Sequence, residues 1–79
     1  MHIYILYIYI MISLAEQIAN ALVQELKKTK KKEITLEEII IKYKCSHMTA
    51  RQALKILAML LKEQGKKTEY KRGGKLIIQ

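Results

Sequence analysis

Apolar residues recur with helical spacing near the start of the chain and predict an amphipathic first helix. Every fourth position holds an apolar residue: Leu14, Ile18, Leu22 and Leu26. Ser13 and Glu16 have the spacing of a capping box, in which each side chain satisfies a free amide at a helix start. We therefore expect this helix to begin after Ser13 and to end near Lys28.

A second, shorter helix is predicted to begin at Leu36, because Thr35 and Glu38 form another capping box before an apolar run. Residues 33–35 are also compatible with a brief strand. The helix should end about Lys44. Its expected buried stripe consists of Leu36, Ile39, Ile40 and Tyr43.

A third helix is predicted over residues 47–64, with Ser46 as its N-cap. Gly65 should end it, since glycine readily adopts the left-handed conformation that closes helices. Its expected inner face consists of Ala50, Ala53, Leu54, Leu57, Leu60 and Leu61. The side chains expected to project from its first two turns are His47, Met48, Arg51, Gln52 and Lys55.

The chain ends with the pattern of a β-hairpin. Residues 67–71 and 75–78 are predicted strands, and Arg72, Gly73 and Gly74 lie between them. Adjacent glycines accept the positive φ angles of a tight hairpin turn. Tyr70 is expected to pack across the two strands rather than to stack on a base.

Residues 1–12 are apolar or tyrosine except for His2, and isoleucine and tyrosine on both alternating faces favour an extended strand. The run is too short for a transmembrane helix, which needs about 20 apolar residues. It also has no signal-peptide features. Three interpretations remain open: a strand that pairs in a dimer, which we favour, a flap over the core, and an extension preceding a true start at Met11.

Two helices joined by a tight turn and followed by a hairpin are typical of a winged helix-turn-helix. The sequence thus predicts an α+β fold with three helices plus a C-terminal β-hairpin wing, in a single domain. Residues 1–12 would be its apolar extension, residues 13–65 the three-helix core and residues 66–79 the wing hairpin.

The charge is high and unevenly distributed. The formal net charge is +8, and residues 26–79 hold all 15 basic residues. This composition indicates a polyanionic partner such as nucleic acid or an anionic membrane. One run of lysines is expected to form a solvated loop, and the alternative is a loop that contacts phosphates. The run consists of Lys27, Lys28, Lys30, Lys31 and Lys32.

Few residues are available for catalysis or metal binding. Cys45 is the single cysteine, which excludes an internal disulfide, fits a reducing cytoplasm and predicts a buried or half-buried thiol. His2 and His47 have no ligand-spaced partners, so no metal is expected. The chain has no nucleophile with a base and no phosphate-cradling glycine loop, and we expect neither an enzyme nor a cofactor. Abundant isoleucine, lysine and glutamate without proline suit a thermophilic source or an AT-rich genome.

Residues 46–57, SHMTARQALKIL, resemble the recognition helix of the GntR-type winged-helix repressors. The best matches are Ser46, Thr49, Arg51, Ala53 and Leu54. The resemblance implies that Ser46 and Thr49 cap the helix and touch phosphates. It also implies that Arg51 reaches DNA, whereas the alanine and leucine belong to the core.

The resemblance extends over residues 34–78, and Gly73 and Gly74 are similar to the glycine-containing wing of that family. Three features depart from the family. His47 stands where an arginine is usual, the proline and arginine that open its second helix are absent around residues 34–39, and no effector domain follows. No small-molecule effector is therefore expected. In its compactness the chain is similar to the minimal winged-helix regulators of crenarchaeal plasmids and viruses.

Side-chain chemistry gives the exposed residues of the third helix different roles. Arginine can donate two hydrogen bonds to guanine and glutamine can pair with adenine, so Arg51 and Gln52 are candidates for reading bases. Thr49 and Lys55 are placed for phosphates, which fix register without carrying sequence information. Candidates for either type of contact are His47 and Met48.

Arg72 and Lys75 flank the predicted wing turn. A cation there can enter the narrow minor groove and interact with its negative potential. Ordinary solvation at a mobile hairpin tip is the alternative.

These observations predict a sequence-specific transcription regulator that binds double-stranded DNA, with residues 47–64 in the major groove and residues 66–79 on the minor groove or the backbone. Regulation of its own promoter is compatible with them. One module buries roughly 600–1,000 Å² on DNA, so a homodimer on a palindromic or repeated site is expected. Two other functions remain open. One is a membrane-surface protein anchored by residues 1–12, with lysines on anionic lipid. The other is a winged helix that binds RNA or another protein.

Overall fold

The computed structural model describes the backbone of residues 2–79 and the side chains of residues 13–79. In these residues the elements are α1 (His2–Lys28), β1 (Glu33–Thr35), α2 (Leu36–Tyr43), α3 (His47–Glu63), β2 (Thr68–Lys71) and β3 (Lys75–Ile78). The strands form one antiparallel sheet in the order β1-β3-β2. The predicted α+β class is confirmed.

The core lies where α1 packs along α3, with α2 and the inner face of the sheet closing its sides. Leu54 and Leu57 of α3 are fully buried, as is Leu76 of β3. Each such side chain removes enough apolar surface from water to stabilise the fold by about 1.5–3 kcal/mol. The core consists of Ala15, Ile18, Ala19, Leu22, Val23, Leu26, Ile34, Leu36, Ile39, Ala50, Ala53, Leu54, Leu57, Leu61, Leu76 and Ile78.

The predicted boundaries of α2, α3 and the hairpin are confirmed to within one or two residues. The Thr35 hydroxyl accepts a 3.2 Å hydrogen bond from the Glu38 amide, as a capping box requires. The Glu38 carboxylate does not complete the box, because it pairs with Lys31 instead. Gly65 ends α3 with a φ of +82°, and the Lys66 amide donates back to the helix.

The prediction of an extended strand over residues 1–12 is wrong for the described backbone, since residues 2–12 are the first three turns of α1. Ser13 is therefore inside a helix and does not cap its start. Two physical reasons account for the error. Isoleucine and tyrosine favour strands only where a partner strand exists, and neither edge of the sheet pairs with residues 2–12. Extending an existing helix also avoids the cost of nucleating a new one.

Leu14 is a second correction, because it is 43% exposed rather than part of the buried stripe of α1. A repeat of four residues drifts by about 40° per step on a helix of 3.6 residues per turn. At the N-terminal end of the stripe the drift turns Leu14 toward solvent. Ala15 takes the buried position in its place.

The register of the sheet decides which wing side chains face the helices. Tyr70 of β2 and Ile34 of β1 are both paired with the buried Leu76 of β3, so these three residues share the inner face. Glu33 and Glu69 are both paired with Ile77 and share the outer face. Within the part of the chain whose side chains are described, no helix has the length and apolar character needed to cross a bilayer.

Candidate nucleic-acid interface

The start of α3 is fixed by two hydroxyl side chains. The Ser46 hydroxyl accepts a hydrogen bond from the Thr49 amide at 3.1 Å and lies 2.9 Å from the Thr49 hydroxyl. Ser46 therefore satisfies one of the free amides of the first turn, as predicted. This cap sets the rotation of the helix and the direction of the side chains that follow.

His47, Arg51 and Lys55 form a ridge along the exposed side of α3. They are spaced by four residues and therefore lie one above another on the helix surface. All three are exposed. The opposite side of the same turns is buried in the core through Ala50, Ala53 and Leu54, so the ridge cannot turn inward without breaking the core.

The wing stands beside this ridge. β2 and β3 are joined through Arg72, Gly73 and Gly74, and both glycines have positive φ angles, of +88° and +82°. These values confirm the turn that the adjacent glycines predicted. Arg72 is exposed at the tip of the hairpin.

A concave surface, here called the α3–wing groove, lies between the ridge and the wing. It is lined by Leu36, His47, Arg51, Lys55, Tyr70, Arg72, Gly73 and Gly74. Arg51 and Arg72 are the only arginines of the chain, and the fold brings them to the two walls of one groove. No carboxylate is among the lining residues. None of the ion pairs among residues 13–79 involves Arg51, Lys55 or Arg72, so these charges are available to an anionic ligand.

Five of the residues predicted to contact DNA are not in this groove, and Thr49 is one of them. Met48 is 60% exposed and Gln52 is half-buried, and both lie on the side of α3 adjacent to the ridge. Lys75 directly follows the wing turn as the first residue of β3, with its ammonium 3.7 Å from the Glu33 carboxylate on the outer face of the sheet. Ser46 is exposed at the helix start.

Thr49 requires a correction. Its side chain was expected to contact phosphates, but the residue is only 3% exposed and its hydroxyl is held by Ser46. Thr49 precedes the buried Ala53 by four residues, so it lies on the core side of α3 rather than on the ridge. Its role in the structure is to complete the cap.

Tyr70 and Leu36 line the groove although sequence reasoning did not place them there. Tyr70 is on the inner face of β2, at the edge of the sheet, where it remains 46% exposed. Strand alternation from the two-glycine turn could have assigned it to that face. No comparable signal was available for Leu36, because its position depends on how the wing folds back on α2.

The ion pairs of the described side chains lie outside the groove. Lys31 pairs with Glu38, and Lys42 pairs with Glu25, whose hydrogen bond raises the pKa of Lys42. These pairs link α2 to α1 and to the lysine loop. Because they are exposed, their contribution to stability is small.

Cys45 lies between α2 and α3 and is half-buried, as predicted. Its Sγ is 3.9 Å from the carbonyl oxygen of Ile39. Burial raises the pKa of the thiol, so little thiolate is present at neutral pH. The residue has the environment of a structural cysteine.

No protein-family model and no curated protein matches this chain. Among solved structures, it is similar to a DNA-binding winged-helix protein, F-112, from Sulfolobus Spindle-shaped Virus 1. The TM-score is 0.64, and the match covers 81% of this chain and 93% of the viral protein at 22% sequence identity. Together with the three helices and the antiparallel sheet, this likeness shows that the chain has the winged-helix fold.

Proposed function

We propose that this protein binds double-stranded DNA and acts as a transcription regulator, with α3 in the major groove and the wing against the minor groove or the backbone. The observation that carries the proposal is the α3–wing groove, which gathers Arg51, Lys55 and Arg72 without a carboxylate. The viral winged-helix protein, which is described as DNA-binding, supports the same interpretation.

The ridge of α3 has the dimensions and chemistry for major-groove contact. A B-DNA major groove is about 12 Å wide and admits one α-helix. Arg51 is at the centre of the ridge, where its guanidinium can donate two hydrogen bonds to guanine. Lys55, one turn later, carries a point charge suited to phosphate. Gln52 and Met48 flank the ridge and extend the surface that faces the bases.

The wing supplies a second contact at a fixed distance from the ridge. Arg72 at its tip can enter a narrow minor groove, where the negative potential is strongest. Lys75 would contact the phosphate backbone of DNA after its exposed ion pair with Glu33 breaks. The Tyr70 ring between wing and ridge restricts how closely a duplex approaches.

We also propose that two copies act together on DNA. A single module of this size buries roughly 600–1,000 Å², which is small for tight specific binding. Two protomers on a palindromic or repeated site would double the contact and add a requirement for correct spacing. The apolar N-terminal part of α1 is the segment we assign to the contact between protomers, although its side chains lie outside those that the structure describes.

The test compares nucleic acids and then selects sequences. Fluorescence anisotropy at one salt concentration should show tighter binding to duplex DNA than to duplex RNA or single strands. Selection from random duplexes, spiked with the region upstream of the protein's own coding sequence, should then enrich one motif. A preference for RNA, or binding to anionic vesicles without binding to DNA, would overturn the proposal.

A further inference from the structure

A second cationic surface lies near the C-terminal end of α3, away from the α3–wing groove. It consists of five lysines, here called the lysine patch: Lys30, Lys32, Lys62, Lys66 and Lys67. All five are exposed. None of them takes part in an ion pair among the described side chains, in contrast to their neighbour Lys31.

The backbone holds the two lysine-bearing loops together. The Ile78 amide donates a 2.7 Å hydrogen bond to the Lys32 carbonyl, and the Gln79 amide donates a 2.8 Å bond to the Lys67 carbonyl. Two consecutive residues, the last of β3 and the one after it, therefore fix two segments that are more than 30 positions apart in the sequence. This arrangement keeps like charges close together, which is unfavourable unless a polyanion compensates for them.

The patch surrounds two adjoining depressions. One is lined by Lys30, Lys32 and Lys66, and the other by Lys62, Lys66 and Lys67. Lys66 and Gln79 belong to both. One carboxylate, Glu69, borders the second depression, so a clear excess of positive charge remains.

The patch and the groove are separate surfaces. Lys62 follows Arg51 by 11 positions on α3, which corresponds to about 16 Å along the helix axis. The depressions of the patch share no lining residue with the groove. The lysine patch is therefore not part of the surface that lines the groove.

The composition of the patch indicates its ligand. Its cations are all lysines and it has no aromatic side chain, whereas both arginines and Tyr70 are in the groove. Lysine ammonium groups neutralise phosphates as point charges and do not make the bidentate contacts that read bases. Stable attachment to a membrane usually combines such a basic cluster with an apolar group that inserts. The exposed large apolar residues of the described part are elsewhere, at Leu14, Ile41, Met48, Met59 and Tyr70.

We propose that the lysine patch binds the phosphate backbone of a second segment of double-stranded DNA, independently of sequence, while the α3–wing groove holds the first segment. This inference rests on the proposed function of the groove. It gives one protein molecule two DNA contacts of different kinds, so that the protein bridges two duplexes or draws together two parts of one.

The experiment separates the two contacts. A duplex of selected sequence is immobilised on beads and saturated with protein, and capture of a second, labelled duplex of unrelated sequence is measured. The patch variant carries Lys32→Gln, Lys66→Gln and Lys67→Gln. Its matched control carries arginine at the same positions and keeps the charge. Lys55→Gln serves as the groove variant.

We expect the patch variant to bind the first duplex nearly normally but to capture the second at least about tenfold less, with a salt slope lower by up to about 2.7. The arginine control should capture it normally. Lys55→Gln should instead weaken binding of the first duplex. A long duplex with one selected site should bind wild type more tightly than a short one, and the patch variant should lose this difference if both segments come from one molecule.

Unchanged capture by the patch variant would overturn the inference, because bridging would then come from two grooves in a dimer. Binding of the patch to phosphatidylserine vesicles in place of the second duplex would also overturn it. Failure of wild type to bind the first duplex, or normal binding of it by both Lys55→Gln and Arg51→Ala, would instead contradict the proposed function of the groove.

Discussion

The backbone amide of Leu36 donates a 2.8 Å hydrogen bond to the carbonyl of Gly74. The bond joins the first residue of α2 to the turn of the wing. At the same place, a Cβ added to Gly74 would overlap the Leu36 side chain, so the two segments are in close contact. The wing is therefore held against the helices, and the two walls of the α3–wing groove keep a fixed separation.

This contact predicts different effects for substitutions at the two adjacent glycines of the turn. Gly73→Ala should cost about 1–2 kcal/mol of unfolding free energy, because only its left-handed conformation is affected. Gly74→Ala should cost about 1–3 kcal/mol more, since it also forces Leu36 to move. Urea unfolding followed by circular dichroism would measure both. Equal losses for the two variants would show that the Gly74–Leu36 contact is unimportant.

Thr49 is predicted to stabilise the helix cap and not to contact DNA. Thr49→Val keeps the shape of the buried side chain but removes the hydroxyl that lies 2.9 Å from Ser46. We expect a loss of about 1 kcal/mol in unfolding free energy and unchanged DNA affinity of the folded protein. Ser46→Ala should lose a similar amount by removing the cap itself. If Thr49→Val is folded but binds DNA more weakly, Thr49 contacts phosphate despite its burial.

Cys45 should react slowly with alkylating agents in the folded protein. Burial raises its thiol pKa, so the thiolate fraction at neutral pH is lower than in the unfolded chain. The reaction with iodoacetamide should be slower than in denaturant, and its rise with pH should be displaced above the usual thiol pKa. Because the folded state holds the proton more tightly, stability should decrease slightly over the same alkaline range. Equal rates in the folded and unfolded chains would contradict this environment.

The N-terminal part of α1 is predicted to carry the contact between protomers. Analytical ultracentrifugation with a selected duplex should find two protomers per duplex for the full chain. A chain lacking residues 2–12 retains the α1 core residues found among the described side chains, so it should fold but bind as single protomers with lower affinity. Two protomers per duplex in both proteins would assign the contact to another surface.

Much of the fold could be predicted because its signals are local. Thr35 and Ser46 cap the helices that their positions indicated, and Gly65, Gly73 and Gly74 have the positive φ angles that their turns require. The ridge of α3 followed from helical spacing alone. The GntR-type resemblance of residues 46–57 stays a prediction.

The errors arose where a longer-range contact decides the outcome. Residues 2–12 have the composition of a strand but have no strand to pair with, so they continue α1. Leu14 was assigned by spacing and Thr49 by the family resemblance and its side-chain chemistry, but the rotation of each helix against the core gives both the opposite exposure. The position of Leu36 in the groove depends on the wing folding back onto α2, which no local pattern encodes.

The sequence specificity of two variants shows whether α3 reads bases. They are Arg51→Ala and, one turn away on the same ridge, Lys55→Ala. Affinities for the selected duplex and for a scrambled one should be measured over a range of salt, after circular dichroism has shown that both variants are folded. Arg51→Ala should lose about 1–3 kcal/mol of preference for the selected sequence. Lys55→Ala should weaken both duplexes alike and lower the salt slope by about 1. Equal, sequence-independent losses from both variants, or no loss from either, would contradict a recognition helix that reads bases from this groove.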